Sequence, residues 1–417
     1  MPAALPTPKN TVLTAAVIVA ALGYFVDIYD LILFSIVRVG SLTSLGIKPG
    51  TPEMTNQGLF LINMQMGGML LGGILWGILG DKKGRLSVLF GSILLYSLAN
   101  IANGFVQTID QYAWLRLIAG IGLAGELGAG ITLVSESLPK EKRGYGTMIV
   151  ATIGVSGAML GYWVAEGSGF GWRNAYFVGG GLGLALLVLR VSVFESGMFQ
   201  QVQAQAEVVR GNFFSLFSNP VRLGKYLRIL LIGVPLWFVV GILVTLAPEF
   251  GKALGLTGEV TAGLAVFWCY FGLVFGDFLS GMLSQLWHSR NKALQLFLVF
   301  CATLVGVYLF GVKGASPTVF YGVCFVLGMS VGFWALFVTV AAEQFGTNIR
   351  ATVATTAPNF ARGAVVGLVP AFKYLSGALG GIIPGAAVLG GLTLLVAFWA
   401  VSTLPESYGK DLDYVEE

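Results

Sequence analysis

Between compact clusters of charge, the chain reads as one apolar run after another, each close to the roughly 20 residues a helix needs to cross a bilayer core. The runs fall near residues 11–37, 55–80, 86–109, 112–138, 144–168, 174–194, 227–250, 259–286, 293–312, 316–342, 350–376 and 379–404. Backbone groups in hydrocarbon have no water to bond with, so a run of this length has to close its hydrogen bonds within itself, as a helix. The expected fold class is an all-α membrane protein with twelve transmembrane helices. Composition agrees, with 11% of the 417 residues charged against about 25% in an average soluble domain. The 59 glycines supply small faces through which such helices approach closely. The first run is too long for a cleaved leader and holds acids, so it is expected to persist as the first span.

Lysine and arginine mark sidedness. One set of alternate loops carries Lys82, Lys83, Arg85, Lys140, Lys142, Arg143, Arg210, Arg222, Lys225, Arg228, Arg290 and Lys292, while the other holds little beyond Arg38, Lys48, Arg173, Lys252 and Lys313. Positive loops stay in the cytoplasm, which puts both termini there. The absence of an N-x-S/T sequon fits a bacterial inner (plasma) membrane. The longest connection, 195–226, contains Gln and Phe clusters and separates an N-terminal bundle of six spans, 1–194, from a C-terminal bundle and tail, 227–417. It suits an interfacial helix or a helix that binds a partner. A shift of 207 residues places Glu136 on Glu343, Arg143 on Arg350 and Lys83-Gly-Arg85 on Arg290-Asn-Lys292, so the halves read as a duplication. His288, the one histidine, falls where the first half has Asp81.

The loop Gly77-Ile-Leu-Gly-Asp81-Lys-Lys-Gly-Arg85 is a charged hairpin between two apolar runs. Its pattern resembles the signature loop between helices 2 and 3 of the major facilitator superfamily of secondary transporters. Arg116-Leu-Ile-Ala-Gly120-Ile-Gly122, Glu136-Ser-Leu-Pro-Lys-Glu-Lys-Arg143 and Gly171-Trp-Arg-Asn-Ala-Tyr-Phe177 resemble further elements of that family, and Gly23-Tyr-Phe-Val-Asp27-Ile-Tyr29-Asp30 is similar to a segment of its metabolite:proton symporters. The resemblance implies two six-helix bundles that rock about a central cavity. It further implies a cytoplasmic gate in which Asp81, Arg85, Glu136, Arg143, Glu343 and Arg350 join the bundles.

An ionised side chain at bilayer depth costs at least ~2.5 to 3.5 kcal/mol, so it should face a cavity or a partner. Asp27 and Asp30 share one face of span 1, and Arg116 of span 4 lies at comparable depth. One of these acids paired to Arg116 makes a proton acceptor with a switchable partner, or else a permanent ion pair. Glu126, in a glycine-rich stretch, is a second protonation candidate, and Asp277 can cap or pair with a neighbouring helix. In span 11, Thr352, Thr355, Thr356, Asn359 and Arg362 form a polar stripe at helical spacing. The guanidinium of Arg362 suits a substrate anion, or alternatively Asp277 or a helix C-terminus. Tyr29, Trp237 and Trp334 are the aromatic residues expected at the substrate.

No G-x-x-x-x-G-K-[ST] loop is present, which disfavours an ATP-driven pump. One histidine and three scattered cysteines offer no metal cluster, and no constellation supports an enzyme or a cofactor. The net charge of +4 resides in the loops and speaks to topology, not nucleic acid. The reading is a monomeric proton-coupled symporter that imports a small organic anion or polar metabolite. The alternative is a proton-coupled efflux antiporter for a cationic or amphiphilic compound, against which span 5 carries Gly154, Gly157 and Gly161 without the proline of the family's antiporters. A receptor without flux would carry a larger cytoplasmic extension.

Overall fold

The structure is a computed structural model and describes residues 15–83, 85–126, 143–195 and 215–410. Twelve helical spans follow in order. The first half holds α1 (Ala15–Ser44), α2 (Pro52–Lys83), α3 (Arg85–Asn103), α4 (Ile109–Leu123), α5 (Arg143–Val155, resuming as Gly157–Tyr162 and a π-helical turn, Trp163–Gly167) and α6 (Trp172–Glu195). The second holds α7 (Pro220–Phe238, widening to a π-helix over Val239–Val244), α8 (Ala262–Leu286) and α9 (Arg290–Gly306, closing in a π-turn, Val307–Gly311). It continues with α10 (Pro317–Ser330, then Trp334–Glu343), α11 (Thr347–Gly363, then Val365–Ala378) and α12 (Ile382–Thr403). The side on which α1 begins is the near face, and the side on which it ends is the far face.

Among the described residues, nine helices are by themselves long and apolar enough to cross a membrane. The other three are α3, whose apolar part is Val88–Asn103, α4, which ends at Leu123 in a stretch described to Glu126, and α11, which carries the polar stripe and breaks at Ala364. Helix starts have local causes: Thr108, Thr261, Ser289 and Ser316 each accept a backbone N–H of the first turn of α4, α8, α9 and α10. Two boundaries differ from the sequence reading. Helix α7 begins at Pro220 and not at 227, because Asn219 caps it and Pro220 is favoured in a first turn, and this overrides the nearby Arg222, Lys225 and Arg228. Helix α1 runs past Arg38 to Ser44, since the Arg38 charge finds a partner inside the protein.

The halves repeat one another in how their helices touch. Helices α2 and α4 meet backbone to backbone: a methyl at Gly68 would overlap the carbonyl of Leu117, and one at Gly120 that of Gln65. Their counterparts α8 and α10 meet the same way, through Gly272 against the carbonyl of Phe325 and Gly328 against that of Cys269. Without water to drive apolar association, such close backbone contact supplies the dispersion that holds a bundle together. The three cysteines are buried and unpaired with one another, as small apolar residues.

At the near face, Glu406 follows α12 and ties it to the start of α9. Burial works against its charge. Bonds from Ser289 Oγ and the N–H groups of Tyr408, Arg290 and Asn291 outweigh that and hold the carboxyl below the ordinary glutamate value. A lowered value means stability that is complete above about pH 4.3 and is lost as pH falls through the folded-state value. The group is largely solvated, which limits the gain to about 0.5–1 kcal/mol. Glu406→Gln is expected to lower the thermal midpoint in detergent by about 1–2 °C at pH 7, and the difference from wild type should shrink below pH 4.

Candidate functional site

The halves meet at mid-depth on a buried charge. Arg362, on the stripe of α11, is fully buried, with Nη1 3.6 Å from Asp27 Oδ2 of α1. Its guanidinium lies over two indoles, Trp237 of α7 at 5.8 Å and Trp334 of α10 at 5.6 Å, which meet edge to face at 5.9 Å. Local backbone irregularity puts both tryptophans there. Pro235 removes a hydrogen bond from α7 just before Trp237, and the π-helix follows at once. Helix α10 breaks at Val331–Phe333, where Gly332 lies against Gly276 of α8, and its second segment begins with Trp334. Asp277 Oδ1 accepts the N–H of Ala335 at 3.1 Å, so this acid caps the restarted helix.

Around that point converge polar atoms that are buried and bonded to nothing in the protein. They are all three Arg362 nitrogens, both Asp27 oxygens, Asp277 Oδ2, Asn359 Oδ1 and the indole nitrogens of Trp237 and Trp334. Tyr24 and Tyr270 stand within electrostatic reach of Arg362 and Asp27. Roughly 90% of buried polar groups in proteins are bonded, so a convergent set of open ones marks a place built for a polar guest. A guanidinium fork accepts a carboxylate through two parallel bonds, and facing indoles suit a flat apolar body. Asn359 also closes the site toward α4, with Nδ2 donating to the carbonyl of Ala124 at 2.7 Å.

The remaining sequence candidates distribute around this centre. Arg116 donates to Gln65 Oε1 and, at 3.4 Å, to Tyr176 Oη, and lies over the rings of Phe34 and Tyr176. Asp30 is within Coulomb reach of Arg116 and Asp27 without bonding either. The acid of α1 that lies beside a guanidinium is thus Asp27 with Arg362, because the neutral amide of Gln65 occupies Arg116. Glu126 pairs with Arg190 of α6 at 2.5 Å and 3.1 Å, packed over Gly23, where an added methyl would overlap both partners. Tyr29 donates to the carbonyl of Ala175 at 2.8 Å in the α1–α6 seam, away from the tryptophans. Glu343 bonds Arg290 at 2.9 Å and Ser407 at 2.8 Å, and Arg350 Nε donates to the carbonyls of Ala342 and Phe345, all within the second half. Glu136 and the side chains of Asp81, Arg85 and Arg143 lie outside the described residues.

Sequence reasoning missed a latch at the far face. Arg38, fully buried, pairs with Glu249 of the short helix Ala247–Ala253 at 2.7 Å and donates to the carbonyl of Thr245 at 3.2 Å. Thr55 donates to Glu249 at 3.3 Å, and Thr245 to Ser35 Oγ at 3.0 Å. Arg38 reads as a loop charge and Glu249 falls at the end of the 227–250 run, and nothing in their spacing pairs them. Arg190, the last cation of its run, was the available signal for the partner of Glu126.

Residues 13–381 match the model of the Major Facilitator Superfamily. The chain is similar to the niacin transporter NiaP of Acinetobacter baylyi, with 25% identity over 369 residues and 80% of each chain covered. It is also similar to the 3-(3-hydroxy-phenyl)propionate transporter of Escherichia coli K12, with 27% identity over 362 residues, 80% of this chain and 85% of that relative. The proton:xylose symporter XylE bound to 6-bromo-6-deoxy-D-glucose superimposes with a TM-score of 0.72 at 16% identity, over 95% of this chain and 97% of that one. The inward-open form of XylE from E. coli gives 0.69 at 18% identity, over 95% and 97%. At such identities the two structures speak for the fold alone.

Breaking a buried pair by removing one partner costs about 3–5 kcal/mol, because the other charge is left uncompensated. Arg190→Gln is expected to destabilise by that order, and Glu126→Gln with Arg190→Gln to recover most of it, as read by thermal unfolding of the four proteins of the cycle.

Proposed function

Since this chain belongs to the major facilitator superfamily, we propose that it imports a small organic anion together with protons, by alternating access around Asp27 and Arg362. The chain is a multi-pass membrane transporter of a small molecule, and the proposal adds the anion and the proton. The observation that carries it is the buried Arg362 guanidinium, enclosed by Trp237 and Trp334 with Tyr24 beside it, whose close counter-charge among the described residues, Asp27, stands 3.6 Å away. Niacin and 3-(3-hydroxyphenyl)propionate, for which two relatives are named, both join a carboxylate to a ring, a shape that suits a fork between indoles.

In this scheme a substrate carboxylate takes Arg362, and a proton replaces Arg362 as the partner of Asp27. The site then carries no net uncompensated charge through the membrane interior, where such a charge is costly. Asp30 and Glu126 are further proton carriers, with Arg116 and Arg190 as their compensating cations. The near face is cytoplasmic in an inner membrane, with both termini there. The units 1–194 and 227–417 move against each other on the 195–226 connection, and the chain works as a monomer. Asp81, Arg85, Glu136 and Arg143, with Glu343 and Arg350, hold the cytoplasmic side shut when the outside is open, and Arg38 with Glu249 holds the outer side shut in the converse state.

Uptake of labelled niacin and of a panel of carboxylates, sugars and cationic dyes into proteoliposomes, with internal pH followed, tests this. Arg362→Gln should lower carboxylate uptake about 10- to 100-fold, the worth of a charged bidentate bond. Asp27→Asn should retain exchange of labelled for unlabelled substrate and lose accumulation driven by a proton gradient. If only cationic compounds moved protons, and in the opposite direction, import of an anion would be ruled out. For the latch, Arg38→Ala is expected to raise modification of Ser35→Cys by a charged thiol reagent added outside several-fold; unchanged labelling would show that the pair does not hold that side.

A further inference from the structure

Helix α3 carries a polar stripe that the site described above does not use. Tyr96, Asn100 and Asn103 recur at four- and three-residue spacing and so share one face, with Ser97 beside it; all four are fully buried. Tyr96 Oη, Ser97 Oγ, Asn100 Oδ1 and both amide atoms of Asn103 have no hydrogen-bond partner in the protein, while the Asn100 amide N–H faces Asp30. Left dry, each such group costs about 1–3 kcal/mol, so these five atoms together would cost as much as a whole domain is worth. A stripe of this kind persists where water bonds it, since a buried water takes two to four polar partners.

The stripe also leads somewhere. At 1.5 Å per residue it spans roughly 10 Å. Its far-face end, Asn103, closes α3 next to Phe105, which is 65% exposed. At its inner end Asn100 stands beside Asp30, and Tyr96 lies within electrostatic reach of Glu126, Asp30, Asp27 and Arg190. Helix α6 covers the stripe with glycine: a methyl at Gly179 would overlap Asp30 Oδ1, and one at Gly183 would overlap Ser97 Oγ. The groups that face Asp30 are Asp27 and Tyr29 of α1, Tyr96 and Asn100 of α3, Arg116 of α4 and Tyr176 of α6.

We propose that the seam of α1, α3 and α6 is a hydrated proton path from the outer face to Asp30, separate from the route between the halves that the substrate takes. The path rests on the proton coupling and orientation proposed above. It runs wholly inside the first half, so it bypasses the Arg38–Glu249 latch and delivers a proton to Asp30 while the outer side is closed to substrate. Water and the asparagine and tyrosine groups relay the proton, and Asp30 receives it.

X-ray hydroxyl-radical labelling in ¹⁸O water reads hydration without any substrate. Tyr96 should be modified at least tenfold faster than Tyr308, which is equally buried and donates to the carbonyl of Leu243. Asn100→Leu with Asn103→Leu should bring Tyr96 to the Tyr308 rate and slow niacin accumulation under an acid-outside gradient about tenfold. The same variant should leave niacin counterflow unchanged, and Asn100→Ser with Asn103→Ser should restore the labelling. A Tyr96 as protected as Tyr308 overturns the path even where uptake is proton-driven, and the proposed function then stands alone. A labelled Tyr96 in a protein whose niacin uptake ignores the proton gradient overturns the coupling and the role of the path with it. Gradient-driven uptake that survives the leucine variant also overturns it.

Discussion

A guanidinium held at the middle of a membrane protein sets terms for everything near it. Two indole faces and the Asp27 carboxylate surround Arg362, and those three come from α7, α10 and α1. Two of these helices belong to the second half and one to the first, so the interaction that solvates the cation is also one that holds the halves together at mid-depth. Any motion that separates α1 from α11 must offer Arg362 another anion, and a bound carboxylate is the simplest one. Packing and chemistry are therefore the same constraint at this point.

The irregular backbone around the site follows from that constraint. A continuous α10 would carry Trp334 in an unbroken helix; the break at Gly332 starts a new helix at mid-depth, and Asp277 accepts the N–H of Ala335 in its first turn. Helix α7 combines Pro235 with a π-helical segment, which turns its successive side chains off the usual spacing beside Trp237. Non-helical and broken backbone at bilayer depth is tolerated only where protein or a cavity covers it. Both irregularities fall on the side of the second half that faces Arg362. The close glycine contacts of α2 with α4 and α8 with α10 pack each half backbone against backbone.

Much of this was legible in the chain. Apolar runs between charges locate the spans, since length and charge cost act on each segment alone. The stripe ending in Arg362 was visible for the same reason: helical spacing is local. Pairings between segments were not. Charge matching put Arg116 with an acid of α1, but two neutral side chains, Gln65 and Tyr176, accept from its Nη2 and Nη1, and counting charges cannot see a neutral acceptor. Arg38 looked like a solvated loop charge and Glu249 like the last residue but one of a span, and only the fold brings them together. Arg222, Lys225 and Arg228 marked a loop in the sequence, whereas the cap at Asn219 had already started the helix.

The far-face latch joins positions that the duplication makes equivalent. Arg38 donates to Thr245, and the two are separated by 207 residues, the same shift that relates the halves. A residue that touches its own counterpart sits on the pseudo-twofold axis, as in an isologous dimer. Two identical halves would have set arginine against arginine there, repelling at the very point where the surfaces must meet. A fused chain is free of that symmetry and can carry arginine once and threonine once. The contact on the axis is thus available only to a single polypeptide, which gives fusion of the halves a physical advantage over their pairing as separate copies.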